Sequence, residues 1–113
     1  MPCIELTTNV RVQDKNKLMR SLSDCVCTGL CKAETYMMVI VRDAEAMLFG
    51  GSEEPVAPVT RRALGLKEEL IRKLAGELTT LLQSELGIES QRAYIVFMDA
   101  DPGKWAWDGR TFA

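Results

Sequence analysis

The stretch Pro2-Cys3-Ile4-Glu5-Leu6-Thr7-Thr8 decides how this chain is read. It predicts a β-strand over residues 3–8 with Ile4, Leu6 and Thr8 on one face. Outward from it, an amphipathic helix is expected from about Asp14, a side chain suited to an N-cap, to about Cys31. Leu18, Leu22, Cys25 and Gly29 form its stripe. Then comes Tyr36-Met37-Met38-Val39-Ile40-Val41, a second strand that is nearly all apolar and so expected to be buried on both faces. Strand, helix and strand make one βαβ unit, whose crossover implies a parallel strand pair.

The plan repeats after a Gly50-Gly51-Ser52 turn. Val56 to Leu64 reads as a strand interrupted by Pro58, which suits an edge or a strand start. Leu66 to Leu86 reads as a helix with Leu70, Leu74, Leu78, Leu81 and Leu82 on one side and Gly87 as its stop. Ala93-Tyr94-Ile95-Val96-Phe97-Met98 is again a fully apolar strand. Residues 1–113 are therefore one domain with an internal pseudo-repeat, about 2–51 and 55–100. The expected fold class is α/β: two βαβ units forming a four-stranded mixed sheet with both helices on one face, a two-layer sandwich. No third helix exists to cover the other face, so a homo-oligomer is expected.

Bulk composition removes several classes of function. A net charge of −2 gives no electrostatic footprint for nucleic acid. Lys and Arg are scattered, so no polybasic membrane patch forms. No apolar run approaches the roughly 20 residues of a membrane span. The N-terminus lacks a basic n-region and carries Glu5, unlike a conventional signal peptide, so the cytoplasm is the expected address.

Four cysteines occur, at positions 3, 25, 27 and 31, and none makes a zinc-type CxxC pair. On the predicted helix Cys25 falls on the apolar face with Leu18, Leu22, Val26 and Gly29, as a small core residue. Cys27 and Cys31 fall one turn apart on roughly the opposite face, where an exposed thiol pair would still lack the third and fourth ligands of a soft-metal site. No histidine is present to activate a cysteine nucleophile.

The absence of histidine also draws attention to Pro2. If Met1 is removed, the chain begins with a secondary amine held against a sheet. An ordinary N-terminal amine titrates at about 7.7–8.0. A nearby cation or an apolar pocket disfavours its protonated form, which makes it a candidate general acid–base group near neutral pH. At the other end of the chain, Pro102-Gly103 and Asp108-Gly109 mark turns around a short strand carrying Trp105 and Trp107 on one face. These tryptophans suit a subunit-interface anchor and a pocket wall equally well.

In order along the chain stand Met1-Pro2 leading a strand, Thr8-Asn9-Val10, Lys32 after the first helix and Tyr36. They are followed by Phe49-Gly50-Gly51-Ser52 with Glu54-Pro55, Leu64-Gly65, Arg92 with Tyr94-Ile95, and Trp107 with Thr111-Phe112-Ala113. With this set, over essentially its whole length, the chain resembles the family of macrophage migration inhibitory factor and D-dopachrome tautomerase, in the tautomerase superfamily. The resemblance implies a homotrimer whose sheets wrap into a central barrel, with active sites between subunits and no cofactor. It implies keto–enol tautomerisation of aromatic α-keto acids such as phenylpyruvate, with dopachrome isomerisation as a related activity.

By the same resemblance, the Pro2 amine moves the proton on the carbon next to the keto group. Lys32 binds the substrate carboxylate and its charge helps hold the Pro2 amine neutral, and the Leu64 backbone N–H donates to the same end of the substrate. Tyr94 of the adjacent subunit lines the pocket, with Trp105, Trp107, Met38, Tyr36 and Phe112 as its apolar wall. From the residues alone, Lys32 reads only as a charge matched to the end of helix one, and Tyr94 as strand filler.

The chain also departs from the family pattern. Val96 replaces an asparagine of the substrate pocket, and Cys31-Lys32-Ala33 replaces Gly-Lys-Pro. The segment Glu54-Pro55-Val56-Ala57-Pro58-Val59 lacks the cytokine's CxxC pair, so no thiol–disulfide activity is expected. The second helix starts at once with Leu66-Lys67-Glu68-Glu69 instead of after a loop. Two other readings stand beside the enzyme. One is a signalling protein on the same fold, with a vestigial pocket, an unknown receptor and non-classical secretion; the other is a plain α/β binding module. Receptor binding that survives loss of Pro2 would favour the first, and a monomer in solution the second.

Overall fold

The computed structural model of the protein describes residues 2–27 and 35–113. Met1 and residues 28–34 lie outside the described residues, and with them the expected positions of Gly29, Cys31 and Lys32 and the end of the first helix. The elements are β1 (Cys3–Thr7), α1 (Lys15–Cys27), β2 (Met38–Arg42), β3 (Ala57–Leu64), α2 (Glu68–Leu86), β4 (Ala93–Ala100), β5 (Ala106–Trp107) and β6 (Arg110–Thr111). The main sheet has the order β2-β1-β3-β4. The pairs β1–β2 and β3–β4 are parallel, as each βαβ crossover requires, and the two units join through the antiparallel pair β1–β3.

Local chemistry sets the helix ends. Asp14 caps α1: its Oδ1 accepts the Lys17 N–H at 3.0 Å, and its carbonyl accepts the Leu18 N–H at 3.1 Å. α2 stops at Gly87, whose left-handed φ of 66° lets the Gly87 and Ile88 N–H groups close on the Gln83 and Leu82 carbonyls. Ile88 is then fully buried behind the turn.

Both helices cover one face of the sheet. Leu18 and Leu22 of α1 and Leu74, Leu78 and Leu82 of α2 pack with Ile4, Leu6, Ala57 and Val59 in one cluster. Each fully buried leucine stabilises the fold by about 1.5–3 kcal/mol. The segment joining the two units is held by side chains. The Arg92 guanidinium donates to the carbonyls of Pro55, Phe49, Ser52 and Glu54 at 2.9–3.1 Å. Asn9 donates to Glu53 and Glu54 and accepts the Val56 N–H, while the Thr8 hydroxyl donates to the Val56 carbonyl. Residues that carried the family resemblance (Thr8, Asn9, Glu54, Pro55 and Arg92) thus form a clamp.

Two expectations change, for the outer strands and for Cys27, and Pro58 takes the second of its two expected positions. β2 and β4 are not buried on both faces: they are the sheet's edges, and Met38, Tyr94, Val96 and Met98 stay exposed on the face without helices. That face also carries Glu5 between Arg62 at 3.0 Å and Arg42 at 3.7 Å. Pro58 lies on an interior strand. It is tolerated because it sits at the strand's start, one residue beyond the last β1–β3 pair, Leu6 with Val59. Cys27 is buried, 3% exposed, instead of solvent-facing. It lies at the last described turn of α1 within electrostatic reach of Arg61, which rises from β3 on that side of the sheet. Cys25 is half-buried as a core neighbour, and burial followed by Glu77 pushes its thiol pKa up.

Candidate active site at the N-terminal end of β1

Pro2 is buried, and its carbonyl accepts the Met38 N–H at 3.1 Å, which fixes the start of β1 to the start of β2. Cys3 stands opposite both Met38 and Arg62. One step further along the same antiparallel register, Pro2 faces Ala63, with Leu64 next along β3. The turn after Leu64 is pinned by Asp99, whose Oδ1 accepts the N–H groups of Gly65 at 2.9 Å and Leu66 at 3.4 Å. Gly65 needs its φ of +68° for this turn, a conformation glycine adopts without a Cβ penalty.

Aromatic side chains gather nearby. Tyr36 precedes β2, two residues before Met38, and meets Trp107 edge-to-face, with centroids 5.2 Å apart and an interplanar angle of 86°. Trp107 sits on the β5–β6 hairpin, whose turn residues Asp108 and Gly109 both have positive φ, as a two-residue hairpin turn demands. The Phe112 N–H donates to the Pro102 and Trp105 carbonyls at 3.1 Å, folding the chain's end back on itself. Trp105 precedes β5 and lines a depression of about 370 Å³ with Arg62, Met98, Asp99 and Lys104. The two tryptophans therefore make different contacts, one against the sheet and the other against Tyr36.

Tyr94 and Val96 stand apart from this group. Tyr94 is 64% exposed and meets Phe49 edge-on at 5.0 Å, beside a second depression of about 240 Å³ lined by Met47, Leu48 and Pro58. In register Tyr94 pairs with Pro58, whereas Pro2 lies at the level of Ala63 and Asp99. That separation is about 16 Å along the strands, with two inter-strand spacings of roughly 4.8 Å between them. Val96 is about 10 Å from the same level. One copy of the chain thus brings Pro2, Tyr36, Met38, Leu64, Trp105, Trp107 and Phe112 to one end of the sheet and keeps Tyr94 and Val96 away from it. Lys32 lies outside the described residues.

Sequence reading passed over Arg61. It is 5% exposed, with Ala57, Val59 and Ala63 on the helix-facing side of β3. Burial holds its guanidinium below its usual pKa, against the opposing influence of the Cys27 and Cys3 thiols, although an arginine remains charged. The signal was present: adjacent residues of a strand point to opposite faces, so one of Arg61 and Arg62 had to face the core.

A mixed sheet of two βαβ units with two helices on one face and a buried proline at the head of its first strand has the architecture of the tautomerase superfamily. Within it, the chain belongs to the macrophage migration inhibitory factor family, whose profile matches residues 1–113. A macrophage migration inhibitory factor homologue of Brugia malayi is 32% identical over 114 residues, covering 99% of each chain. The solved structure of the Prochlorococcus marinus homologue superposes with a TM-score of 0.90 at 30% identity, covering 98% of this chain and 99% of that one. The Trichinella spiralis protein superposes with a TM-score of 0.88 at 29% identity, covering 97% and 99%.

Proposed function

We propose that the protein is a keto–enol tautomerase for aromatic α-keto acids such as phenylpyruvate, with the amine of Pro2 as its acid–base group. The observation that carries this reading is the position of Pro2. It is buried, held at the head of β1 by the N–H of Met38, which follows Tyr36 of the Tyr36–Trp107 pair by two residues, in a chain of this family.

Chemistry requires that Met1 be gone, because an amide nitrogen has no basic lone pair. The neutral amine then takes a proton from the carbon next to the keto group. The C–H electron pair becomes the new C=C bond, and the carbonyl π pair moves onto oxygen, which gains a proton from water while the Pro2 ammonium returns its own proton to water and is again a neutral amine. Reversal returns the keto form with no net oxidation and no cofactor. Tyr36 and Trp107 offer an aromatic wall for the substrate ring, and Lys32 and the Leu64 N–H are assigned its carboxylate by family likeness. Tyr94 and Val96 join only from a second copy, and a homotrimer that covers the exposed face of β2 and β4 supplies it.

The test is the phenylpyruvate tautomerisation rate of protein shown by mass to lack Met1, beside Pro2→Gly. A rate well above buffer that collapses in the variant supports the proposal; equal rates overturn it.

A further inference from the structure

Arg61 is an unusual residue to place on the core side of a sheet. Its Nε is buried with no hydrogen-bond partner, and its Nη1 donates to the Arg62 carbonyl at 2.6 Å. Among the described residues no carboxylate forms an ion pair with it. A buried charge without a counter-charge is costly, and a position between Val59 and Ala63 would accept an aliphatic side chain without that cost.

What the charge faces is set by the register. Arg61 stands opposite Ile4, and Pro2 is two residues along β1 on the same face, opposite Ala63. Residues in this diagonal relation lie about 7–8 Å apart. The bond to the Arg62 carbonyl turns the guanidinium along β3 toward the Pro2 end. We propose that Arg61 is a positioning residue for Pro2, its buried charge keeping the N-terminal amine in the neutral, proton-accepting form. This rests on the reading of Pro2 as the acid–base group.

Among the described residues, the other ionisable groups around this end do not replace Arg61; Lys32, to which the family likeness also gives a charge beside the Pro2 amine, lies outside them, and Lys104 lines the depression on the Arg62 face. Cys3 on β1 and Cys27 on α1 are thiols within its own electrostatic reach. Arg62 of β3 and Glu5 of β1 lie on the opposite face and are bonded to each other, and Asp99 of β4 is engaged by the Gly65 and Leu66 N–H groups. Tyr36 precedes β2. On α2, Glu77 acts on Cys25 instead. Through poorly solvated protein, a cation close to an amine disfavours the ammonium form and moves its protonation to lower pH. Removing the cation moves it back up.

The experiment is an NMR titration of ¹⁵N-labelled Pro2 in protein lacking Met1, as wild type, Arg61→Gln and Arg61→Lys, with circular dichroism to verify folding. The pH profile of kcat/KM for phenylpyruvate is recorded in parallel. Arg61→Gln is expected to raise the Pro2 midpoint by about one unit, the low end of what a close charge does. The acidic limb of the profile should shift with it, while Arg61→Lys stays near wild type. An unchanged midpoint in folded Arg61→Gln overturns the proposal. So does a wild-type Pro2 that titrates like an ordinary N-terminal amine, a result that needs no variant to fold. The NMR midpoint does not depend on turnover. If Pro2→Gly keeps its activity while Arg61→Gln still shifts the midpoint, the tautomerase reading fails and the electrostatic one stands.

Discussion

The Met38 N–H and the Pro2 carbonyl are joined across the first rung of the β1–β2 pair at 3.1 Å, so Pro2 is held like the interior of a strand. A free N-terminus frays, whereas this bond fixes the direction of the proline ring. Met38 is the first residue of β2, a position at which a strand accepts proline, although here its N–H is engaged by Pro2. Met38→Pro should therefore cost at least the roughly 0.5–1.5 kcal/mol of one hydrogen bond in urea unfolding, while lowering kcat/KM by more than that loss of stability accounts for, at least tenfold in folded protein. Loss of stability and activity in proportion would argue against a specific orienting role.

The separation of Tyr94 from Pro2 within one copy makes a prediction about assembly. Pro2→Gly and Tyr94→Arg should each be inactive alone. Refolded together as an equal mixture, they should recover about a quarter of wild-type activity, since that share of sites between neighbours draws both intact residues. Activity no greater than the sum of the two separate variants would mean that Tyr94 does not serve a neighbour's site.

The clamp on the inter-unit segment sets a stability prediction. Arg92 reaches the four carbonyls through Nε and both terminal nitrogens of its planar fork. Lysine presents only a point charge and cannot span them. Arg92→Lys should lower stability by about 2 kcal/mol or more in chemical unfolding, close to the cost of Arg92→Ala. Full rescue by lysine would show that charge alone matters there.

Asp43 links the loop after β2 to the start of α1. Its carboxylate accepts the Val12 N–H at 2.9 Å and pairs with Lys15 at 2.9 Å, and these two interactions, in that order, hold its pKa below the ordinary aspartate value. Because the folded pKa lies below the unfolded one, the stabilisation is full above the ordinary value and fades as pH falls through the depressed one. Asp43→Asn should melt below wild type at pH 7, and the two melting temperatures should converge in acid. A gap that stays constant with pH would assign the effect to packing.

Much of the fold was legible because local signals agreed with the global plan. The Asp14 cap, the α2 leucine stripe, the Gly87 stop and the alternation of Ile4 and Leu6 all point to paired βαβ units. Legibility failed where a residue's surroundings come from elsewhere in the chain or from another copy. Met38, Tyr94 and Val96 have the composition of buried strand residues, yet one copy has nothing to cover them. Helical periodicity turns Cys27 away from the leucine stripe, yet it is buried, within electrostatic reach of Arg61 on the sheet. Arg61 shows the same limit: its neighbour Arg62 finds Glu5 on the open face, while Arg61 turns inward without an acidic partner among the described residues. Of the candidate site, Tyr36 and Trp107 meet edge-to-face at the end of the sheet that holds Pro2, and Lys32 lies outside the described residues.

The most direct test of the central claim is the phenylpyruvate tautomerisation rate as a function of the fraction of chains lacking Met1. That fraction is set by timed aminopeptidase treatment and read by intact mass. The rate should rise from the buffer value in proportion to the Met1-free fraction. A rate that is the same in protein retaining Met1 would contradict it, because the amide nitrogen of a Met1–Pro2 bond cannot accept the proton.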